Sequence, residues 1–193
     1  MGQATAVSIC SNALLMLGAQ TISSFEDPVD RARICSGLYP TIRDDLLRTH
    51  PWNCCIKRVL LAPDADAPAF GYAASFELPA DCLRVLEVGE NNVQIDYLLE
   101  GRSIQAEATS LELRYVFLNE VENTWDSSLV ALMTLAMAAA LAYPITQSAS
   151  MQSTMEQKLS MAKKVARAVD GQEEPPQTLG DERLYSARFG AHG

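Results

Sequence analysis

The chain has 193 residues, of which 48% are hydrophobic and 20% are charged, and its formal net charge is −9. This balance is typical of a globular protein and excludes an intrinsically disordered chain. The negative charge argues against a protein that grips nucleic acid, because neutralising phosphates requires clustered Lys and Arg. The five cysteines are odd in number and have no C-x-x-C spacing, so neither a disulfide framework nor a zinc ribbon is indicated.

The first predicted helix covers residues 3–17. Apolar positions recur there at helical spacing, and Gly18 follows as a residue suited to end a helix. The first ten residues, MGQATAVSIC, lack the basic region of a secretory signal. We therefore expect the chain to stay in the reducing cytoplasm in which it is made.

The second predicted helix begins with Asp27 and Pro28, as N-cap and first helical residue, and runs toward His50. Pro40 lies inside this run. Proline removes a helical hydrogen bond and clashes with the preceding turn, so a kink or an interruption is expected around it. Pro51 ends the helix, because a proline disfavours helical backbone in the residue before it.

A region of antiparallel β structure is predicted for residues 57–119. Short apolar or alternating runs are separated there by Pro, Asp, Gly and Asn: RVLLA, ASFELP, LRVLEV, VQIDYLL, RSIQAEA and LELRYVFL. The GRS segment at residues 101–103 predicts a tight hairpin, and residues 90–92 predict another.

Two further helices are predicted after the β region. Asp126 or Ser127 caps a helix that runs to Tyr143, and a fourth helix covers residues 149–169. The apolar run at residues 129–145 is about 17 residues long, rich in Ala and without a basic flank, so a buried helix is favoured over a membrane span.

These elements together predict an α+β fold. Residues 1–56 and 120–170 form an antiparallel four-helix bundle, residues 57–119 form a small antiparallel β region inserted in it, and residues 171–193 form an extended C-terminal tail. The tail carries apolar and basic side chains that are unusual for a solvated terminus without a binding role. We expect it to become ordered when it binds a partner. The candidate partner-binding residues are Leu179, Arg183, Leu184, Tyr185, Arg188 and Phe189.

The stretch LLRTHPWNCCIKR, residues 46–58, has the residue types of a catalytic or metal site. A Cys–His pair needs the thiol near the imidazole and a third group that orients the ring. Adjacent residues of a strand point to opposite faces, so only one of Cys54 and Cys55 could approach His50, and the nearest acids lie a turn earlier on the helix. A metal site would be short of four ligands.

A packing role is therefore favoured for this stretch, and no catalytic residue, cofactor or metal is predicted. The sequence contains no Gly-rich phosphate loop, no H-E-x-x-H and no G-x-S-x-G. Trp52 is expected to fix the turn from helix to sheet, with the cysteines as small fillers around it. The predicted structural anchors are Tyr39, Pro40, Pro51 and Trp52.

Several runs of this sequence resemble the tail tubular protein A family of head-to-tail adaptors from tailed bacteriophages and prophages. They are LYPTIRDDLLRTHPWNCCIKRVLLA, PAFGYAASFELPADCLRVLEV, RYVFLNEVENTWDSSLVALMTLAMAAALAYPITQS and VARAVDGQEE, and the match covers about residues 1–175. The residues that carry it are Tyr39, Pro40, Arg43, Asp44, Leu46, Leu47, Pro51, Trp52 and Asn53, and then Leu78, Pro79, Asp81, Cys82, Arg84, Val85 and Leu86. The chain departs from the family at Cys54 and Cys55, which argues against a cysteine-dependent role.

The resemblance implies a structural virion protein without enzymatic activity or cofactor, located in the neck between head and tail. Such adaptors form a homo-oligomeric ring, usually of about twelve subunits, bound beneath the portal protein. The ring extends the channel for DNA packaging and ejection and carries the tail or nozzle protein, without a membrane and without specific DNA binding. The tail segment would then bind the portal or the adjacent subunit. Two alternatives stay open: another neck assembly protein, such as a head-completion or tail-terminator factor, and a small enzyme that uses a His/Cys site.

Overall fold

The computed structural model describes residues 4–91 and 93–173, and in this part of the chain four helices and seven strands form an α+β fold. The helices are α1 Ala6–Met16, α2 Asp30–Thr49, α3 Ser127–Thr146 and α4 Ala149–Glu173. The strands are β1 Ile56–Leu61, β2 Ala74–Glu77, β3 Cys82–Glu90, β4 Val93–Gln94, β5 Tyr97–Glu100, β6 Ser103–Ala106 and β7 Leu111–Phe117. Short 3-10 turns at Asn53–Cys55 and Glu122–Thr124 precede β1 and α3.

The strands form two antiparallel sheets. Sheet A has the order β1-β7-β3-β4 and sheet B the order β2-β6-β5. A hydrophobic core of their own lies between them, built from residues such as Phe76, Ile104 and Leu113. The predicted hairpins are confirmed: β3 pairs with β4, and β5 pairs with β6 through a turn that starts at Gly101, whose φ of 59° suits glycine.

The prediction of a four-helix bundle with a small inserted β region is wrong. Helix α3 packs against each of the other three helices, whereas α1 and α2 touch only slightly. An open groove of about 580 Å³ separates α2 from α4 above the floor formed by α3. The helices therefore form a layer in which α3 is the shared neighbour, and we call it the helical layer. Its hydrophobic core, the helical core, also includes Cys55 and Val116 from the sheet side. Periodicity and apolar runs indicated the helices, but they did not indicate which helices face each other.

Helix α2 differs from its prediction at Pro28, where it was expected to begin, and at Pro40, where it was expected to kink or break. It begins at Asp30 with Val29 as N-cap, because the Asp27 carboxylate accepts from the Ser23 amide instead of capping the helix. It is also continuous through Pro40. Proline leaves the carbonyl four residues earlier, on Ser36, without its helical partner, and both residues lie on the exposed face where water can bind that carbonyl.

The other helix boundaries follow from local contacts. Helix α1 ends as predicted, with Gly18 at φ 73° and the Ala19 amide donating to the Leu14 carbonyl over 3.0 Å. The Asp126 carboxylate caps α3 by accepting from the Ser128 amide. Helix α3 continues three residues past Tyr143, and α4 continues to Glu173.

By its length and composition alone, α3 is long and apolar enough to cross a membrane. In the fold, 56% of its most apolar 18-residue window is buried by the other elements. Its small side chains at positions such as Ala138, Ala139 and Ala142 allow neighbouring helices to approach closely. We therefore describe it as the central core helix.

Candidate functional site

The stretch 46–58 forms the junction between the helical layer and sheet A. His50 is the C-cap of α2, and the 3-10 turn Asn53–Cys55 leads directly into β1. Trp52 lies between them, is only 1% exposed, and donates from its indole Nε1 to the carbonyl of Leu46 over 3.1 Å. Pro51 follows the helix directly, and the extended backbone of His50 agrees with its position before a proline.

A buried carboxylate from the far end of the chain completes this junction. Asp170, near the end of α4, binds His50 Nε2 through Oδ2 at 3.0 Å and accepts from the Asn53 backbone amide through Oδ1 at 3.0 Å. The Asn53 side chain donates to the Asp170 carbonyl over 3.0 Å. We call His50, Asn53 and Asp170 the junction clamp.

The clamp holds an acid that would be costly to bury alone. Three hydrogen bonds satisfy Asp170, which is 8% exposed, and two of them end on its carboxylate oxygens. The His50 ring also meets Trp52 edge-on, with the ring centroids 4.5 Å apart. The geometry therefore ties the end of α4 to the start of the β region.

The two adjacent thiols lie beside the clamp and contact each other, with Sγ atoms 3.7 Å apart. Cys55 is buried, whereas Cys54 is half-buried. The hydrogen bond with Cys54, and then burial, raise the pKa of the Cys55 thiol, and the same hydrogen bond lowers the pKa of Cys54. Asn119 donates to the Cys54 carbonyl over 2.9 Å, which fixes the backbone of this turn against the segment before α3.

Tyr39 and Arg43 connect α2 to the segment before α3. The Tyr39 hydroxyl, buried in the helical core, donates to Glu122 over 2.9 Å, and burial together with that carboxylate raises the pKa of the phenol. Arg43 is largely buried and forms ion pairs with Asp44 at 2.9 Å and Glu120 at 3.0 Å. Both residues therefore position the approach to α3.

Asp81, the residue before β3, makes similar polar contacts within sheet A. It accepts from Lys57 at 2.6 Å and from the Tyr115 hydroxyl at 3.0 Å. Desolvation opposes ionisation, but the hydrogen bonds from Lys57 and Tyr115 outweigh it and lower the pKa of Asp81. Burial, and then the bond to Asp81, raise the pKa of Tyr115 to about 12.

The remaining predicted residues have different outcomes. Pro40 lies on the exposed face of α2. In residues 4–91 and 93–173, no group of three or more His, Cys, Asp or Glu side chains is arranged to hold a metal ion. The predicted tail residues lie outside the described residues: Leu179, Arg183, Leu184, Tyr185, Arg188 and Phe189.

Asp170 is the residue that sequence reasoning missed. It is 120 positions from His50, and it stands where the helical pattern gives way to a Gly, Pro and Glu-rich segment. No local pattern distinguishes a buried acid at that point from a solvated one. One signal in the sequence could have indicated a buried acid. The polar groups of His50 and Asn53 need hydrogen-bond partners once Trp52 is buried beside them.

The chain was also compared with known proteins: no protein-family model matches it, and no curated protein matches it.

Proposed function

We propose that this chain is a structural protein of a bacteriophage virion, one copy of an adaptor ring that joins the portal of the head to the tail and extends the DNA channel. The observation that carries the proposal is where the residues behind the resemblance lie. They come from two runs, 39–53 and 78–86, which meet at the junction of the helical layer with sheet A. Arg48 on α2, within the first run, donates to the carbonyl of Leu83 in the second.

These residues are the ones that determine the architecture. Leu46, Leu47 and Trp52 are buried in the helical core, and Cys82 is buried in the core between the sheets. Asp81 connects β1 to β7 through Lys57 and Tyr115. The resemblance is thus carried by residues that fix the junction between the helical layer and sheet A, and an adaptor subunit is the role that the resemblance implies for the chain.

The surface agrees with a subunit that contacts copies of itself. A head-to-tail ring needs two different complementary surfaces on each copy. Large apolar side chains are exposed on separate elements, among them Leu60 on β1, Leu98 on β5 and Met161 on α4. The net charge of −9 suits the wall of a conduit, because an acidic wall repels DNA and lets it slide.

The test is to co-express the chain with the portal protein encoded by the same genome, purify the complex and image it by cryo-EM. The expected result is a ring of about twelve copies bound beneath the portal and coaxial with it. Portal protein expressed alone is the matched control. A chain that neither co-purifies with the portal nor forms rings contradicts the proposal. Density for the chain elsewhere in the neck of the virion would favour a head-completion or tail-terminator factor.

The enzyme alternative has a test of its own. A phage that carries His50→Ala together with Cys54→Ala should keep its infectivity once the variant protein is shown to fold. A loss of infectivity with intact necks would instead support a role for the His/Cys pair in chemistry.

A further inference from the structure

One aromatic side chain of this fold stands almost fully in solvent. Phe70 lies in the loop of residues 62–73 between β1 and β2, which we call the Phe70 loop. It is 88% exposed, more than any other large apolar side chain that the structure describes. Single exposed apolar residues are common on protein surfaces. What distinguishes Phe70 is the way in which the loop presents it.

Both ends of the Phe70 loop are fixed to the sheets. Near its start the Asp64 amide donates to the backbone of β2 over 2.7 Å, and at its end the Ala73 amide donates to the Glu107 carboxylate over 3.0 Å. Gly71, with a φ of 94°, turns the chain directly after Phe70 in a conformation that favours glycine. The loop thus holds the aromatic ring out from a fixed base, which reduces the entropy lost when the ring is bound.

The groove between α2 and α4 has room for such a side chain. Its floor is formed by small residues of α3 such as Ala136 and Ala140, and apolar side chains such as Ile42 and Leu159 line its walls. Its volume of about 580 Å³ lies in the range of pockets that bind small ligands. An aromatic ring buries about 150–250 Å² when it is enclosed, so Phe70 would be a strong anchor in this groove.

The anchor and the groove lie on opposite sides of the junction. The clamp ties α2 to α4 at their C-terminal ends, and the groove lies between the turns that precede those ends. Strand β1 starts with Ile56 against the helical core and ends with Leu61 against the core between the sheets, a span of roughly 20 Å. The Phe70 loop follows at that far end, so a contact between the anchor and the groove joins two copies.

The charges of the two surfaces are complementary. The Phe70 loop carries two acids and no basic residue, and one of these acids, Asp66, is exposed. Residues 158–167 of α4 carry four basic side chains and no acid, and Lys163 among them lines the groove. Asp45 and Glu156 line the same groove, so the attraction comes from the part of the wall around Lys163.

We propose that Phe70 of one copy inserts into the groove between α2 and α4 of the next copy. The two surfaces differ, so the contact is head-to-tail and closes into a ring when the rotation permits. It names the subunit contact of the adaptor ring and rests on the proposed function. The loop has twelve residues, fewer than the roughly 20–30 on each side of a standard interface. The contact is therefore weak by itself, and rings form on the portal.

The first experiment removes the anchor. We expect Phe70→Ser to raise, by at least about tenfold, the protein concentration at which half of the portal particles carry the chain, because buried aromatic anchors supply much of the energy of an interface. Phe70→Leu keeps an apolar side chain at this position and is the matched control, which should assemble close to the wild-type concentration. Mass photometry with the portal protein measures assembly. Both variants should keep the wild-type melting temperature, because Phe70 is exposed in the free chain.

The second experiment locates the binding surface by cross-linking. The background is Cys54→Ala, which removes the half-buried native thiol. Ala69→Cys beside the anchor, combined with Glu156→Cys on the groove wall, should give a ladder of linked oligomers when a short bis-maleimide is added to the portal complex. The matched control combines Ala69→Cys with Thr154→Cys. Thr154 is exposed on the opposite side of α4, so this pair should link at least about ten times less.

The outcomes separate the inference from the proposed function. Rings that form from Phe70→Ser at the wild-type concentration, or without the 69–156 cross-link, overturn the inference and leave the adaptor role standing. Links that stop at dimers also overturn it, in favour of a two-fold contact in which each copy fills the groove of the other. A wild-type chain that neither binds the portal protein nor forms rings overturns the proposed function, and the inference with it.

Discussion

Trp52 is the largest side chain among the fully buried residues of the fold, and it lies where α2, the 3-10 turn and β1 meet. We expect Trp52→Ala to destabilise the protein by about 3 to 5 kcal/mol, the range for a large aromatic lost from a core. Urea unfolding followed by circular dichroism measures the change in the free energy of unfolding. Cys54→Ala, which removes a half-buried thiol from the same turn, is the control and should cost much less. The reverse order would reopen a chemical role for the thiols.

Asp81 should make the stability of the protein depend on pH. Hydrogen bonds from Lys57 and Tyr115 lower the pKa of Asp81, so its stabilising effect is full above the unfolded-state pKa of about 3.9 and is lost as the pH falls through the lower folded-state value. Tyr115, with a pKa of about 12, keeps its proton throughout this range and continues to donate.

The measurement compares the wild type with Asp81→Asn, which keeps the shape but not the charge. We expect the wild type to be more stable by a constant amount between pH 7 and pH 5, and the difference to shrink below about pH 4. Lys57→Met in the Asp81→Asn background tests whether Lys57 acts through this carboxylate. A difference that stays constant down to pH 2 would contradict the assignment.

At the scale of elements, the end of α4 is held by a polar clamp rather than by an apolar stripe. Asp170 binds His50 and Asn53, while Val165 and Val169 on the same part of the helix are exposed. The last turns of α4 should therefore depend on Asp170 more than on hydrophobic packing. Ala166 is the buried apolar contact in this region.

Replacing Asp170 tests this dependence. Asp170→Ala leaves the Asn53 amide and His50 without their acceptor, so we expect a loss of about 1 to 3 kcal/mol in global stability. We also expect faster hydrogen exchange for amides of residues 163–173. Gln172→Ala, an exposed position two residues further on, is the matched control. Unchanged exchange in the Asp170 variant would show that the clamp does not hold the helix.

The sequence predicted elements better than their arrangement. Strand alternation and helix spacing gave the runs that became β1 to β7 and α1 to α4, because those patterns record which side of an element faces a core. The same patterns did not show which helices pack against each other. A four-helix bundle was predicted, whereas α1, α2 and α4 each pack against α3. Pro40 misled the prediction of α2, since its cost depends on whether the carbonyl of Ser36 can reach water. The acid that completes the junction came from a position 120 residues away from its histidine.

For the whole molecule, the C-terminal residues after α4 give a further prediction. The apolar and basic residues between Leu179 and Phe189 were predicted to bind the portal or an adjacent copy. Deleting residues 176–193 should therefore weaken assembly on the portal protein while leaving the melting temperature of the subunit unchanged. Mass photometry of the truncated chain with the portal checks this, and a full-length chain with Asp181→Ala serves as the control. Rings that form as well after the deletion would remove this role.

The hydrogen bonds that Asp64 makes to β2 have a consequence for solubility. The Asp64 amide donates to the Ser75 carbonyl, and the Asp64 carboxylate accepts from the Glu77 amide. These contacts occupy outward-facing backbone groups of β2, so this edge is closed to a strand of another chain.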